Sequence, residues 1–283
     1  MPKKIIERIL NEEGIELFSF LSLGECKITK KYLLDRAGIS EGSVIVMAVP
    51  YVSENLGEGN ISEYAKPRDY HIFFSELFSR LISKLKKIFP EKLFAGFSDH
   101  SPIDERHAAA LSGLGVIGKH GLLITEKYSS FVFIVELITD LILESNAAEI
   151  CYCDDCGKCL SACPIFHDPS LQCLSALTQK KGKLTEKEKE LIKSVGCVWG
   201  CDACQLACPH TRRAEKNGSL YTRQKFFLQD RLSTLTYRRI SEMSDEEFSQ
   251  RAYSWRGRET ILRNLAITDG EPWEDSDCEK PNG

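Results

Sequence analysis

The sequence predicts a chain of mixed helix and strand, with one main globular domain built on a central sheet and an inserted cysteine-rich module. Three observations lead there. A short apolar, β-branched run at residues 43–51 and a second strand-like run at residues 93–98 flank a stretch with helical apolar spacing. With 283 residues, 42% of them hydrophobic, the chain can bury a substantial core. It also contains twelve cysteines, most of them between Cys151 and Cys208.

Residues 43–51 (SVIVMAVPY) are closed by a proline and suit a buried strand. After a polar loop, apolar side chains recur from Ile72 through Leu77, Leu81 and Leu85 to Ile88, the spacing of an amphipathic helix that packs on a sheet. Residues 93–98 read as the next strand. Ser101 as N-cap, Pro102 at the first helical position and the acids Asp104 and Glu105 in the first turn predict a helix start. Asp99 is thereby placed at a strand-to-helix junction, where a side chain is aimed beyond the strand's carboxyl end. Its plain alternative is a carboxylate that merely flanks a helix.

Gly113, Gly115 and Gly118, followed by Lys119, His120 and Gly121, have the glycine spacing of a dinucleotide fingerprint but come after a helix, so the required context is missing. Two readings stay open: a helix C-cap with a turn, or a backbone approach to a bulky ligand with Lys119 or His120 near a phosphate or amide. Residues 131–143, interrupted by Glu136, Thr139 and Asp140, read as a buried strand and its continuation, not as a membrane span. Thr185 and Ser244 are expected to cap two later helices.

Cys153, Cys156, Cys159 and Cys163, with Pro164 after them, reproduce the C-x2-C-x2-C-x3-C-P run of two-cluster ferredoxins. In that run the fourth thiolate serves a second cluster. Cys201, Cys204 and Cys208 form the second run, and Cys173 lies between the two. This assigns Cys153, Cys156, Cys159 and Cys208 to one [4Fe-4S] cluster, and Cys163, Cys173, Cys201 and Cys204 to the other. A zinc site from the pairs Cys153/Cys156 and Cys201/Cys204 is the rival, but it leaves four well-spaced thiols unused. A disulfide framework would need an oxidising compartment, and no signal peptide is recognisable, so a cytoplasmic protein is expected. Cys26, Cys151, Cys197 and Cys278 default to small buried hydrophobes, with Cys151 and Cys197 as near-cluster candidates.

The net charge of −4 argues against wholesale nucleic-acid binding. Residues 211–263 nevertheless hold twelve Lys/Arg against seven Asp/Glu, a local positive excess. Residues 269–283 are acidic and read as a disordered tail.

Several segments fall in one family's order. They are Tyr64 through Pro67 to Tyr70 and His71; then Ser98, Asp99, Pro102, Glu105 and Arg106; then Gly113 to Gly118, Lys119 and His120; then both cysteine runs with Cys173 between them; then Glu247 and Phe248 through to Arg263 and Asn264. Together they resemble the epoxyqueuosine reductase family, cobalamin and iron–sulfur enzymes that complete queuosine in tRNA. The likeness spans residues from about 43 to 267.

The resemblance implies an α+β cobalamin-binding domain with a central sheet, similar to reductive dehalogenases, over residues 1–148. A ferredoxin-like double [4Fe-4S] module would follow over 149–212, then a C-terminal helical segment over 213–268 and the acidic tail over 269–283. It implies a cluster-fed corrinoid acting on the epoxide, Asp99 as proton donor, and Tyr70, His71, Gly118 and Lys119 as cobalamin contacts. An external one-electron donor of flavodoxin or ferredoxin type and no membrane partner are expected. The chain reads as a short form without the C-terminal helical repeats that help relatives grip tRNA. Arg212, Arg213, Arg238, Arg239, Arg256 and Arg258 are the candidate phosphate contacts. His210 stands where the family commonly has tryptophan, and Asp104 where it has an apolar residue; either could mark a paralogue. The competing functions are a corrinoid reductase of another small molecule and an iron–sulfur electron carrier without corrinoid.

Overall fold

The strand read at residues 43–51 is the middle of an antiparallel sheet in the computed structural model, which describes residues 2–168 and 170–273. The described chain divides into two compact units. The first comprises Met1–Tyr51, His71–Cys156 and His210–Gln224, the second Val52–Tyr70, Gly157–Pro209 and Lys225–Gly283. No helix among the described residues is long and apolar enough to cross a membrane.

In chain order the first unit carries α1 (Pro2–Glu12), β1 (Phe18–Ser22), α2 (Lys31–Ala37), β2 (Ser43–Pro50) and α3 (Tyr70–Ile88). Next come β3 (Phe94–Ser98), α4 (Glu105–Leu111), the small ribbon β4 (Val116–Ile117) and β5 (Leu123–Ile124), and β6 (Val132–Thr139). The sheet order is β1-β2-β6-β3, antiparallel throughout. β2 lies between two neighbours and is buried almost end to end, which is why its sequence is continuously apolar instead of alternating. The two sheet faces are covered differently. Phe133 and Leu137 of β6 point toward α3, where Phe74 meets Phe133 edge-on at 5.7 Å between ring centroids. Gly96, opposite Leu137, is required there because a Cβ would lie 2.2 Å from the Phe78 ring. The opposite face, with Val46, Ile134 and Ile138, packs with Ala108 and Ala109 of α4 in one apolar cluster. Glu136 lies on this face.

Two expectations are corrected here. The N-cap of α4 is Asp104, whose Oδ1 accepts the His107 N–H at 3.2 Å; Ser101 instead turns back to accept the Ile103 N–H. The Pro102 carbonyl is taken by the Thr29 and Lys30 N–H groups, so the chain stays extended through residue 103 and helix begins later. Asp104 therefore has a local reason for being acidic: it caps the helix and pairs with Lys27 at 3.4 Å. The second correction concerns Asp99. The sheet is antiparallel, so the crevice rule for open parallel sheets does not place this residue; its own turn does. After α4, Gly113 at φ +77° sends its N–H to Ala110 and the Leu114 N–H to Ala109, a Schellman stop. Of the two readings of this glycine, the C-cap holds.

The second unit holds α5 (Lys158–Ser161), α6 (Leu174–Thr178), α7 (Glu186–Val195) and α8 (Ala203–Leu206). α9 (Pro209–Lys216) starts there and runs into the first unit. α10 (Lys225–Leu228), α11 (Tyr237–Glu242), α12 (Asp245–Ser249) and α13 (Arg258–Asp269) complete it. Thr185 and Ser244 cap α7 and α12 as expected. Asp269, expected to open the tail, is the last residue of α13, and Gly270 closes that helix at φ +76°. Residues 274–283, Cys278 among them, lie outside the described residues.

Two fully buried residues of α13 tie this unit together. The Arg263 guanidinium donates to the Lys180 and Gly182 carbonyls and to Asn264 Oδ1, while Asn264 Nδ2 donates to the Thr178 and Val198 carbonyls at 2.7 and 2.9 Å. An Asn264→Ala chain is expected to lose roughly 2–4 kcal/mol of stability, since it orphans two buried carbonyls and part of a buried guanidinium. Urea unfolding followed by circular dichroism measures this.

Candidate functional site

Asp99 directly follows β3, at the centre of a three-residue turn. Its φ is +60°, and the His100 N–H closes back on the Ser98 carbonyl at 2.6 Å. A non-glycine residue in this conformation stores strain of about 1–3 kcal/mol, which surrounding structure must hold in place. Neighbours do hold it. His71 Nε2 at the start of α3 lies 3.3 Å from Asp99 Oδ2. The His100 ring is pinned between Lys30 Nζ at 3.2 Å and the Tyr32 hydroxyl at 2.7 Å. Both members of the His71–Asp99 pair are about half exposed, so the pair orients a reachable carboxyl more than it stabilises the fold.

Behind Asp99 stand two more carboxyls. Glu105, the first residue of α4, accepts the Asp99 backbone N–H, and burial followed by the Asp99 charge pushes its pKa up to about 7. Glu136, fully buried on β6, is pushed well above the usual carboxylate range by burial and then by Glu105. Since a folded Glu105 titrates near 7 and an unfolded one near 4.5, the folded chain keeps a proton in that window that the unfolded chain has released. The stability from this group is complete below about pH 4.5 and is lost as pH rises through about 7. A Glu105→Gln chain is expected to be more stable than its parent at pH 8 by roughly 2–3 kcal/mol and nearly equal at pH 5. Urea midpoints at the two pH values check this.

Gly118 and Lys119 turn toward the first cysteine run. The Lys119 N–H donates to Cys153 Sγ at 3.2 Å, and its ammonium meets Asp155 at 3.0 Å. Ile117 exchanges backbone hydrogen bonds with Cys151 and Cys153 on either side of Tyr152. Gly118 is small for packing reasons, because a Cβ would lie 2.6 Å from the His120 ring. The His120 ring is held by the Leu122 N–H at 3.2 Å, and its pKa is lowered by burial and by His210. Tyr70 stands edge-on to Tyr64, 6.2 Å between centroids.

The second unit contains six of the eight predicted ligands. Cys163, Cys173, Cys201 and Cys204 come together: burial pushes the Cys204 thiol up to about 12 and Cys201 to about 11, and each feels both Cys163 and Cys173. The Ala203 N–H reaches the Cys201 sulfur. Thiols of this kind stay protonated without a metal, and backbone N–H groups aimed at sulfur suit cluster thiolates. No group of three or more His, Cys, Asp or Glu among the described residues is spaced for one metal ion. A cubane makes a different demand, because each thiolate binds a separate iron. A buried network fixes the second run. The Asp202 carboxylate accepts Ser62 Oγ at 2.6 Å and the Glu63 N–H at 2.7 Å, and Glu63 is bound in turn by Lys66 and Arg231. The first set is divided by unit: Cys153 and Cys156 belong to the first, Cys159 and Cys208 to the second. Cys197 is a neighbour and not a predicted ligand; its thiol donates to the Gly200 carbonyl at 3.3 Å.

The family model described as "Epoxyqueuosine reductase QueG, DUF1730" matches residues 39–99. The epoxyqueuosine reductase of Gloeobacter violaceus is 33% identical over 223 residues, which cover 74% of this chain and 68% of that protein. This chain belongs to the epoxyqueuosine reductase family. The Listeria monocytogenes member is 28% identical over 283 residues, covering 92% of this chain and 72% of its own length; for the Lactococcus garvieae member, 30% identical, the latter share is 62%. The structure of the Streptococcus thermophilus epoxyqueuosine reductase superposes with a TM-score of 0.76 at 25% identity, covering 95% of this chain and 81% of that one. An epoxyqueuosine reductase solved with an epoxyqueuosine-modified tRNA-Tyr stem loop shares the fold, with a TM-score of 0.74 at 21% identity.

Within the family frame, the six candidate arginines separate. Arg258 is committed to the fold, bound to Asp245 at 2.8 Å and stacked on Phe248. Arg238 and Arg239 pair with Glu242 and Glu247. Arg212 and Arg213 are exposed on α9, and Arg256 lies 3.8 Å over the ring of exposed Trp255. Sequence reasoning passed over Glu136 and Trp255 as site residues. Glu136 had one signal, an acid in the middle of the longest apolar run.

Proposed function

We propose that this chain reduces the epoxide of epoxyqueuosine to the alkene of queuosine in tRNA, with Asp99 protonating the departing oxygen. One observation carries the reading beyond family membership: a reachable carboxyl held in a strained turn beside His71, with buried carboxyls behind it. Strain of this kind persists where geometry serves chemistry. The two cysteine sets would hold two [4Fe-4S] clusters, and the gathering of Cys163, Cys173, Cys201 and Cys204 supports the second. Tyr70, His71, Gly118 and Lys119 would hold a corrinoid. Lys119 has its charge occupied by Asp155, so it would contribute shape, while Tyr70 and His71 bring polar groups. When bound, a corrinoid fed by the clusters supplies the low-potential reduction that carbon–oxygen cleavage requires. The electrons would enter from an external flavodoxin- or ferredoxin-type donor. Arg212, Arg213 and the Trp255–Arg256 stack are the proposed tRNA contacts, for phosphate and for an unstacked base respectively.

The test is anaerobic reconstitution, metal analysis and turnover on epoxyqueuosine-containing tRNA. About eight iron and one cobalt per chain with conversion to queuosine are expected. Full cobalamin loading without conversion would overturn the substrate assignment. Iron without cobalt would leave an electron carrier.

A further inference from the structure

We infer that the surface edge of the second cysteine set, around Cys163, Phe166 and Cys173, is where the electron donor docks, and that this donor is a one-electron carrier protein with an acidic face. The inference rests on the proposed cluster held by Cys163, Cys173, Cys201 and Cys204, and adds the place where its electrons enter. The four thiols are unequally placed. Cys173 is exposed, whereas Cys163, Cys201 and Cys204 are part-buried. Beside this edge an aromatic ring is left in water: Phe166, whose N–H donates to the Cys163 carbonyl at 3.0 Å, is 47% exposed, with the exposed His167 ring 5.0 Å away. An apolar ring of this size on the surface fits a protein contact.

Lysines gather at the same edge. Lys187, the second residue of α7, donates to Ser170 Oγ at 3.1 Å and pairs with Asp168, which sets the start of α7 against the segment leading to Cys173. Lys180 pairs with Glu188 at 2.8 Å and ties the turn between α6 and α7 to the same helix end. Leu174 and Leu177 of α6, Leu184 before α7 and Ile192 of α7 form one apolar cluster with Cys201 packed against it, so both helices are fixed on the second cysteine run. Lys181 and Lys183 on that turn and Lys193 in the last turn of α7 are exposed and form no ion pair among the described residues. Residues 157–196 hold seven lysines against four acids, in a chain whose net charge is −4. A local positive field of this kind steers an acidic protein into contact, and electron-transfer encounters need only a small, weak interface. Exposed Glu186 and Glu190 interrupt the lysines, so the patch suits a protein with spaced carboxylates better than a continuous phosphate backbone. In each encounter the carrier is oxidised by one electron and the iron–sulfur site is reduced by one; no bond of this chain forms or breaks.

The experiment uses the full chain reconstituted with iron and sulfide, without tRNA, and follows bleaching of the iron–sulfur absorbance by stopped flow. The two reductants are a reduced flavodoxin of net negative charge and dithionite. Reduction by flavodoxin is expected to slow about tenfold as salt rises from about 0.05 M to about 0.5 M. A chain carrying Lys181→Glu, Lys183→Glu and Lys193→Glu together is expected to react about tenfold more slowly at low salt and to lose the salt dependence. Its iron content, its rate with dithionite and its tRNA affinity should equal the parent's, and the matching triple Lys→Arg chain should keep the parent's rate with flavodoxin. Phe166→Ser is expected to slow flavodoxin at every salt concentration and leave dithionite unaffected. If the glutamate chain does not fold, the triple Lys→Gln chain decides, with a smaller slowing. An iron-loaded glutamate chain that flavodoxin reduces at the parent's rate would sink the inference, and a loss of tRNA affinity with an unchanged reduction rate would replace it with an RNA contact. A parent chain that binds no iron overturns the proposed clusters themselves, an outcome that iron analysis separates from the other two.

Discussion

Replacing Asp99 with asparagine is expected to lower kcat on epoxyqueuosine-containing tRNA by about 10²–10⁴, with iron and cobalt content unchanged. The substitution is a clean one because asparagine tolerates the left-handed backbone that Asp99 adopts at φ +60° and keeps a polar side chain within reach of His71 Nε2. On the proposed reading, what it removes is the transferable proton. Asp99→Gly separates chemistry from strain. Glycine adopts a positive φ without penalty, so this chain should be about 1 kcal/mol more stable than its parent and as inactive as Asp99→Asn. Single-turnover kinetics and thermal unfolding measure the two arms, and full turnover by Asp99→Asn would end the assignment of Asp99 as the acid.

The second large effect concerns iron. On the proposed ligand assignment, a Cys204→Ser chain is expected to fall from about eight iron atoms to about four and to lose turnover, because one proposed ligand set is broken while the other keeps its four thiolates. The surroundings of Cys204 explain why no neighbour substitutes for it. Its thiol is pushed up to about 12 by burial and by Cys201, Cys173 and Cys163, so the site favours thiolates only when iron supplies the opposing charge. Cys197 is the control. Its S–H is spent on the Gly200 carbonyl, and Cys197→Ala should retain all the iron. Iron analysis with electron paramagnetic resonance of the reduced protein reads both variants; full iron in Cys204→Ser would refute the ligand assignment.

Much of this was legible from local pattern. The strands at residues 43–50 and 94–98 and the helix at 70–88 lie where apolar periodicity puts them, because each buries a face whose spacing is written in neighbouring residues. β1 gave no usable signal, since FSFLS is five residues long and gains its order from pairing with β2. The start of α4 was misread for a definable reason. Ser101 and Pro102 have the composition of a helix entry, but their backbone groups are claimed by residues 29, 30 and 103, distant or extended partners that composition cannot reveal.

The proposed cluster chemistry of the thiols could be argued from the chain alone because ligand spacing is a property of a few consecutive turns, and the family resemblance carried the proposal for Asp99 with it. The carboxyl array was not readable. Glu136 meets Glu105 and Asp99 only after β6 pairs with β3 and α4 closes over that face, a meeting of residues 99, 105 and 136 made by long-range register. Burial then turns ordinary acids into proton holders, and burial is a property of the packed fold, which no short stretch of sequence contains.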